Sequence, residues 1–285
     1  MGYCDTGGGI SMLMPATVDK LGIQSKVKKA AVKGLIGINY VPFNDIVLSQ
    51  DIPGPIQLPG MNLSHHFKKV SQSLLMIPPD NEDTKAMTKA MAIDVFFGQD
   101  FFMNKAWTID YIHRKTWVNT PLASSEEGKP GVQKIGLKKD SKGKAIYGHP
   151  SMYIEVDGEK IDVLFDTGAT IILSDNGKKA FNTNEKTIGG SFIAVSVFEK
   201  WRKEHPDWKV YTKADRNQDI IEVPKVKIGG YEVGPVLFAE RADENWSKGM
   251  ISSMDKVVKG AIGGSGLKYL KVQIDYNSEL IKFEE

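Results

Sequence analysis

The chain has 285 residues, 41 % of them hydrophobic and 25 % charged, with a formal net charge of +2. That length accommodates two domains with separate cores, and the near-neutral balance gives no argument for nucleic acid or an anionic membrane surface as a partner. The single cysteine, Cys4, excludes an intramolecular disulfide, and no apolar run approaches the roughly 20 residues that span a bilayer.

In chain order, Met14 to Gly22 predicts a short helix, with Pro15 in its first turn and Gly22 just past its end. Val27–Gly37 and Asp45–Leu48 predict strands. Within the first, Val32 to Gly37 reads either as a mobile hairpin tip or as a plain surface hairpin. Residues 50–62 hold three prolines and two glycines and are expected to be irregular, and Pro78–Asp83 reads as a polar surface loop. Residues 120–131, rich in Ser, Glu, Gly and Pro, read as a linker. Ser151–Val156 alternates as a strand does, Asp157-Gly158 supplies a hairpin turn, and Ile161–Phe165 returns. Ser191–Glu204 predicts an amphipathic helix ending before His205-Pro206. Its Phe192, Val195, Phe198 and Trp201 would face the core or line a pocket. Val223, Val226 and Ile228, the turn Gly229-Gly230, and Val233, Val236 and Phe238 predict a further hairpin.

Two strings stand out from this background: Cys4-Asp5-Thr6-Gly7-Gly8 and Phe165-Asp166-Thr167-Gly168-Ala169. Asp5 lies 93 residues before Gly98 in Phe96-Phe97-Gly98, and Asp166 lies 97 residues before Gly263 in Ala261-Ile262-Gly263. Each of those glycines stands 12 residues before the aspartate of an Ile-Asp-Tyr, at Asp110 and Asp275. One Asp-Thr-Gly means little. Two, each followed at nearly the same distance by a matching pattern, indicate an internal duplication that brings one aspartate per copy to the same structural place.

The arrangement resembles the aspartic peptidases of the pepsin and retroviral-protease type, and most closely the retropepsin-like proteins of bacteria. The resemblance spans nearly the whole chain and rests on the two motif pairs. It implies a mostly β, bilobal acid-protease barrel fold, with a first lobe over residues 1–119 and a second over 132–285 that carries an inserted helix. It implies Asp5 and Asp166 as the catalytic pair. Thr6 and Thr167 would each clamp the opposite loop, while Gly7 and Gly168 keep the backbone bare near the carboxylates. Phe97, Gly98, Ile262 and Gly263 would form the psi-loop segments that pass beneath the two loops. Val32–Gly37 would be the flap over the substrate, if it is not a plain hairpin. The chain would act on a peptide or protein substrate as a pseudo-dimeric monomer, with no metal or other cofactor. The resemblance gives no compartment: periplasmic or secreted if a signal peptide lies upstream, cytoplasmic otherwise.

Two features depart from the family pattern. Only four residues precede Asp5, so the first lobe is expected to lack its N-terminal hairpin, which is either encoded upstream of Met1 or lost. Gly8 and Ala169 stand where a hydroxyl often donates to the aspartate. Losing that donor disfavours the ionised form, so the rate optimum is expected near about pH 4–6. Both departures also fit an alternative, a peptide-binding protein that kept the scaffold and lost hydrolysis. Other candidates carry less. No His or Asn is tied by motif to Cys4, so it reads as a plain thiol. His65-His66 has no further ligands at zinc spacing. Asp94 and Asp100 read as structural hydrogen-bonding groups, Asp110 and Asp275 as strand-end caps, and the triplets at Asn62 and Asn245 as chance matches to the glycosylation signal.

Overall fold

A computed structural model describes residues 2–32, 35–42 and 74–285. The expected strand Asp45–Leu48, the irregular stretch 50–62, Asn62, His65-His66 and the hairpin tip at 33–34 lie outside the described residues. The chain is mostly β and divides into two compact units, Met1–Met103 and Asn104–Glu285.

In the first unit, β1 (Gly2–Cys4) enters the Asp5 loop, β2 (Met12–Leu13) leaves it, and α1 (Pro15–Lys20) follows with proline in its first turn. Gly22 takes the left-handed backbone, φ 62°, that glycine adopts without strain. β3 (Lys28–Val32) and β4 (Leu35–Pro42) pair antiparallel as a hairpin, with Val32 opposite Leu35. β5 (Leu74–Ile77), α2 (Glu82–Met91), β6 (Val95–Phe97) and α3 (Gln99–Phe102) complete the unit. Asn81 caps α2 by accepting a hydrogen bond from the Thr84 N–H at 2.9 Å. The strands form one sheet in the order β1-β6-β2-β5-β4-β3, with Leu13, Val18, Val41 and Leu75 as a core cluster against it.

The second unit begins with β7 (Ala106–Asp110), β8 (Lys115–Val118) and β9 (Val132–Lys134), so residues 104–119 group with it. Residues 120–131 contain a single 3-10 turn, Ser124–Glu126. β10 (Ser151–Val156) and β11 (Glu159–Phe165) form the expected hairpin into the Asp166 loop. β12 (Thr170–Ile172), α4 (Asp175–Ala180) and β13 (Thr187–Gly189) come next. The segment expected to be one helix divides: Ser191–Ala194 is a strand, β14, and the helix α5 is Val195–Glu204. Ser191 to Ala194 pairs with two strands at once, and that ladder overrides helical periodicity over its four residues. β15 (Lys209–Asp215), β16 (Gln218–Val223), β17 (Val226–Ile228), β18 (Tyr231–Val233) and β19 (Val236–Arg241) follow, with the expected turn at Gly229-Gly230. β20 (Gly260–Ile262), α6 (Gly264–Leu267), β21 (Lys271–Asp275) and β22 (Leu280–Glu284) end the chain.

The larger sheet of this unit runs β15-β16-β19-β14-β20-β11-β10-β17-β18. Its first six strands, read from β11 outward, repeat the order of the first unit with the same senses. β11–β20 and β1–β6 are parallel, and β14–β20 and β2–β6 antiparallel. β14–β19 and β2–β5 are parallel, and the last two pairs in each are antiparallel. α5 after β14 thus takes the place of α1 after β2. The piece without a counterpart is β12-α4-β13, not α5, which corrects the expectation of where the inserted helix lies.

The two Ile-Asp-Tyr strands pair with each other in a separate sheet, ordered β8-β7-β21-β22-β9. Both aspartates cap the turns that follow, as expected. Asp110 accepts from the His113 N–H at 2.9 Å, and Asp275 accepts from Asn277 N–H at 2.9 Å and Leu122 N–H at 3.0 Å. Among the described residues no sheet closes into a barrel, contrary to expectation. The six-stranded sheet ends on β1 and β3 and the nine-stranded sheet on β15 and β18, and no ladder among the described residues joins either pair of ends.

Candidate active site

Each Asp-Thr-Gly loop is built by the same backbone device. The strand before the aspartate lies parallel to the strand before the distal glycine, with Cys4 beside Phe97 in the first unit and Phe165 beside Ile262 in the second. The aspartate N–H then donates to that neighbour's carbonyl, Asp5 to Phe97 O at 2.8 Å and Asp166 to Ile262 O at 3.0 Å. Three residues on, the chain turns back: Gly8 N–H donates to Asp5 O at 3.2 Å and Ala169 N–H to Asp166 O at 3.3 Å. Gly168 N–H reaches the Asp166 carboxylate at 2.9 Å, so that glycine brings a donor to the acid.

The distal glycines leave no room for a side chain. A Cβ on Gly98 would stand 1.9 Å from Gly9 O, and one on Gly263 would meet the Ala169 Cβ at 2.4 Å and Gly190 O at 2.6 Å. Phe97 stacks on Phe101 with ring centroids 4.4 Å apart, and Ile262 is fully buried. Thr6 is buried and Asp166 is 8 % exposed, while Asp5 and Thr167 are partly covered.

Sequence reasoning missed two serines that tie each loop to its glycine. Gly98 N–H donates to Ser11 Oγ at 3.0 Å, and Gly263 N–H donates to Ser191 Oγ at 3.0 Å. Both serines are buried. They stand at different distances from their aspartates because β12-α4-β13 intervenes in the second unit. That insertion leaves and returns at points joined by one hydrogen bond, Gly190 N–H to Ala169 O at 2.9 Å.

Gly8 also has a physical explanation. A Cβ there would lie 2.4 Å from Phe96 Cζ and 2.9 Å from the Asp5 carboxyl carbon. In the second unit Ala261 occupies the position of Phe96, and Ala169 occupies that of Gly8. The large ring goes with the bare residue and the small side chain with the methyl.

Cys4 is exposed by area, but desolvation around its thiol, and then the Asp5 carboxylate, push it up to about 11. It therefore stays protonated near neutrality and is a poor nucleophile. Asp94 is structural: its carbonyl accepts from Met14 N–H at 3.0 Å and Thr17 Oγ1 at 3.1 Å, tying α1 to the strand before Gly98. Among the described residues no group of three His, Cys, Asp or Glu side chains is arranged to hold a metal ion, and no helix is long and apolar enough to cross a membrane.

No protein-family model matches the chain, and no curated protein matches it. Among solved structures it is similar to a retropepsin-like aspartic protease from Rickettsia conorii at 18 % identity and TM-score 0.31, covering 54 % of this chain and 89 % of that one. It is also similar to an aspartic proteinase from Irpex lacteus at 10 % identity and TM-score 0.39, covering 99 % of this chain and 86 % of that one.

Proposed function

We propose that the chain is an aspartic-type endopeptidase of duplicated, pepsin-like or retropepsin-like architecture, hydrolysing peptide bonds through a water activated between Asp5 and Asp166. The observation that carries this reading is the identical backbone frame around the two aspartates: parallel strand pair, N–H to carbonyl bond, return turn, and serine-held glycine. The shared order of six strands supports a duplication with one aspartate per copy.

Two carboxylates brought within about 3 Å cannot both ionise, so one keeps a proton and the other keeps its charge. The charged one takes a proton from the water as it attacks the substrate carbonyl. The protonated one donates a hydrogen bond to the oxygen on which negative charge develops, and then supplies the proton that the leaving amine requires. Hydrolysis by this route involves neither a metal nor a covalent intermediate. Because both aspartates lie on one chain, the active form is a monomer. Its substrate is an extended peptide, and β3–β4 is the hairpin that covers it. Backbone pairing of such a peptide leaves its apolar side chains to set preference.

The test is cleavage of a mixed peptide library between about pH 3 and pH 7 by the purified protein, beside Asp5→Asn and Asp166→Asn. Cleavage that falls by about 10²-fold or more in either variant is the expected result. Absence of cleavage by the folded wild type, together with retained peptide binding, would replace this reading with a binding protein on the same scaffold.

A further inference from the structure

The serine that holds each distal glycine is itself held, and differently in the two units. In the first, Ser11 donates twice to one carboxylate oxygen of Asp100, from its N–H at 2.8 Å and its Oγ at 3.0 Å. In the second, Ser191 Oγ meets Ser265 Oγ at 2.9 Å, and Ser265 Oγ donates onward to Leu237 O at 2.9 Å. Asp100 and Ser265 both stand two residues after their glycines. Both chains run in one direction: glycine N–H to serine oxygen, then serine O–H to the acceptor two residues past the glycine.

We propose that Asp100, acting through Ser11, is a positioning residue that fixes the Asp5 loop against the Gly98 strand, the role that Ser265 performs through Ser191 for the Asp166 loop. The proposal rests on reading Asp5 as a reacting carboxylate. Its physical basis is that Ser11 has one hydroxyl proton. With that proton committed to Asp100, the oxygen lone pairs face the Gly98 N–H. Gly98 in turn packs against the Gly9 carbonyl so tightly that no side chain fits between them. Loss of the acceptor frees the hydroxyl to rotate and removes the restraint on the loop.

The two acceptors differ in one respect that an experiment can read. Ser265 does not titrate, whereas burial pushes Asp100 up to about 6, against the lowering effect of the Ser11 N–H and O–H and of its own backbone N–H. Among the described residues Asp100 makes no ion pair. Asp94, which precedes Gly98 where Asp100 follows it, is paired with Lys20 instead. The first unit's frame therefore rests on an acceptor that titrates near 6, and the second's on one that does not titrate.

The test follows the amide resonances of Gly98, Ser11 and Gly263 through a pH titration of the full chain, together with the Asp100 carboxyl carbon. Gly98 and Ser11 are expected to shift with the Asp100 midpoint, and Gly263 to stay unmoved there. In Asp100→Ser that movement of Gly98 should vanish. On the peptidase side, Asp100→Leu should lower kcat by about tenfold or more with KM little changed, because the residue acts on a catalytic loop and not on substrate. Asp100→Ser, which copies the second unit, should recover most of that loss and abolish the pH-rate limb near 6. A Gly98 amide that ignores the Asp100 midpoint overturns the proposal, as does Asp100→Ser behaving no better than Asp100→Leu. If the wild type cleaves nothing, the peptidase reading fails, while the amide titration still decides whether Asp100 governs the loop.

Discussion

The pairing of Gly8 with Phe96 makes a quantitative claim. In Gly8→Ala the new methyl would start 2.4 Å from Phe96 Cζ and 2.9 Å from Phe96 Cε1, against an ordinary carbon–carbon contact of about 3.5–4.0 Å. The ring must retreat by about 1 Å, but it is only 8 % exposed and packs on Tyr3, Met14 and Ile93. Overpacking of this kind costs about 1–3 kcal/mol, so about 2 kcal/mol is expected for the single variant. Phe96→Ala alone should cost about 3 kcal/mol through lost burial and a cavity. The double variant reproduces the Ala169–Ala261 combination of the second unit, and its methyl enters space that the ring has vacated. Its destabilisation should fall short of the sum by about 1–2 kcal/mol, within the range of directly contacting pairs. Urea unfolding of the four proteins measures this. Additivity within about 0.5 kcal/mol would refute the idea that the ring excludes the methyl. Catalysis offers a second reading of the same cycle, since the methyl also stands 2.9 Å from the Asp5 carboxyl carbon. Gly8→Ala should lower kcat more in the wild-type background than in Phe96→Ala.

Asp215 is 1 % exposed, pairs with Arg241 at 2.5 Å and accepts from Ile172 N–H at 2.9 Å. Asp215→Ala takes the partner from the half-buried Arg241 and leaves the Ile172 N–H without its acceptor, and should destabilise the second unit by about 2 kcal/mol, read as a lowered urea midpoint. Asp100 titrates higher folded than unfolded, so the folded state holds its proton more tightly. Its contribution is favourable below about pH 4 and is lost as pH rises through about 6, a swing of roughly 2–3 kcal/mol. Stability compared at about pH 4.5 and pH 7.5 should therefore drop more steeply in the wild type than in Asp100→Ser, and parallel curves would remove the assigned titration.

Much of the scaffold was legible because it is written in short-range signals. The hairpin into Asp166 follows from strict alternation in Ser151–Val156 and the Asp157-Gly158 turn, where both turn residues take positive φ. The α1 helix follows from Pro15 and Gly22. What escaped was decided by tertiary pairing. Ser191–Ala194 satisfies a helical pattern when read with the ten residues after it, yet strands on both sides claim its backbone. The inserted helix α4 escaped for a different reason: it is short and carries a central glycine, Gly177, whose missing side chain lets it sit against Ala214 O. The two Asp-Thr-Gly loops announced themselves by repetition, but Ser11 and Ser191 did not, because the insertion shifts one serine relative to its aspartate and leaves the other in place. Common residues acquire meaning here only once the sheet order puts both beside a distal glycine N–H.

The β12-α4-β13 insertion also explains why the two units, built on one strand order, need not behave alike. It lies against the β15–β16 hairpin, which holds the sheet position that β3–β4 holds in the first unit. Ser174 N–H donates to Ala214 O at 3.0 Å and Ser174 Oγ to Lys213 O at 2.6 Å. Arg216 N–H returns a bond to Ile172 O at 3.0 Å, and the Asp215–Arg241 pair closes the edge over Phe192, with the guanidinium 4.0 Å from the ring. Ile171 and Leu173 of the insertion bury themselves with Ala214, Ile220 and Ala239. A hairpin restrained by backbone bonds, an ion pair and a shared core must break all of them together to open, which sets its opening free energy near that of the surrounding sheet. The insertion thus binds the β15–β16 hairpin into the fixed structure of the second unit.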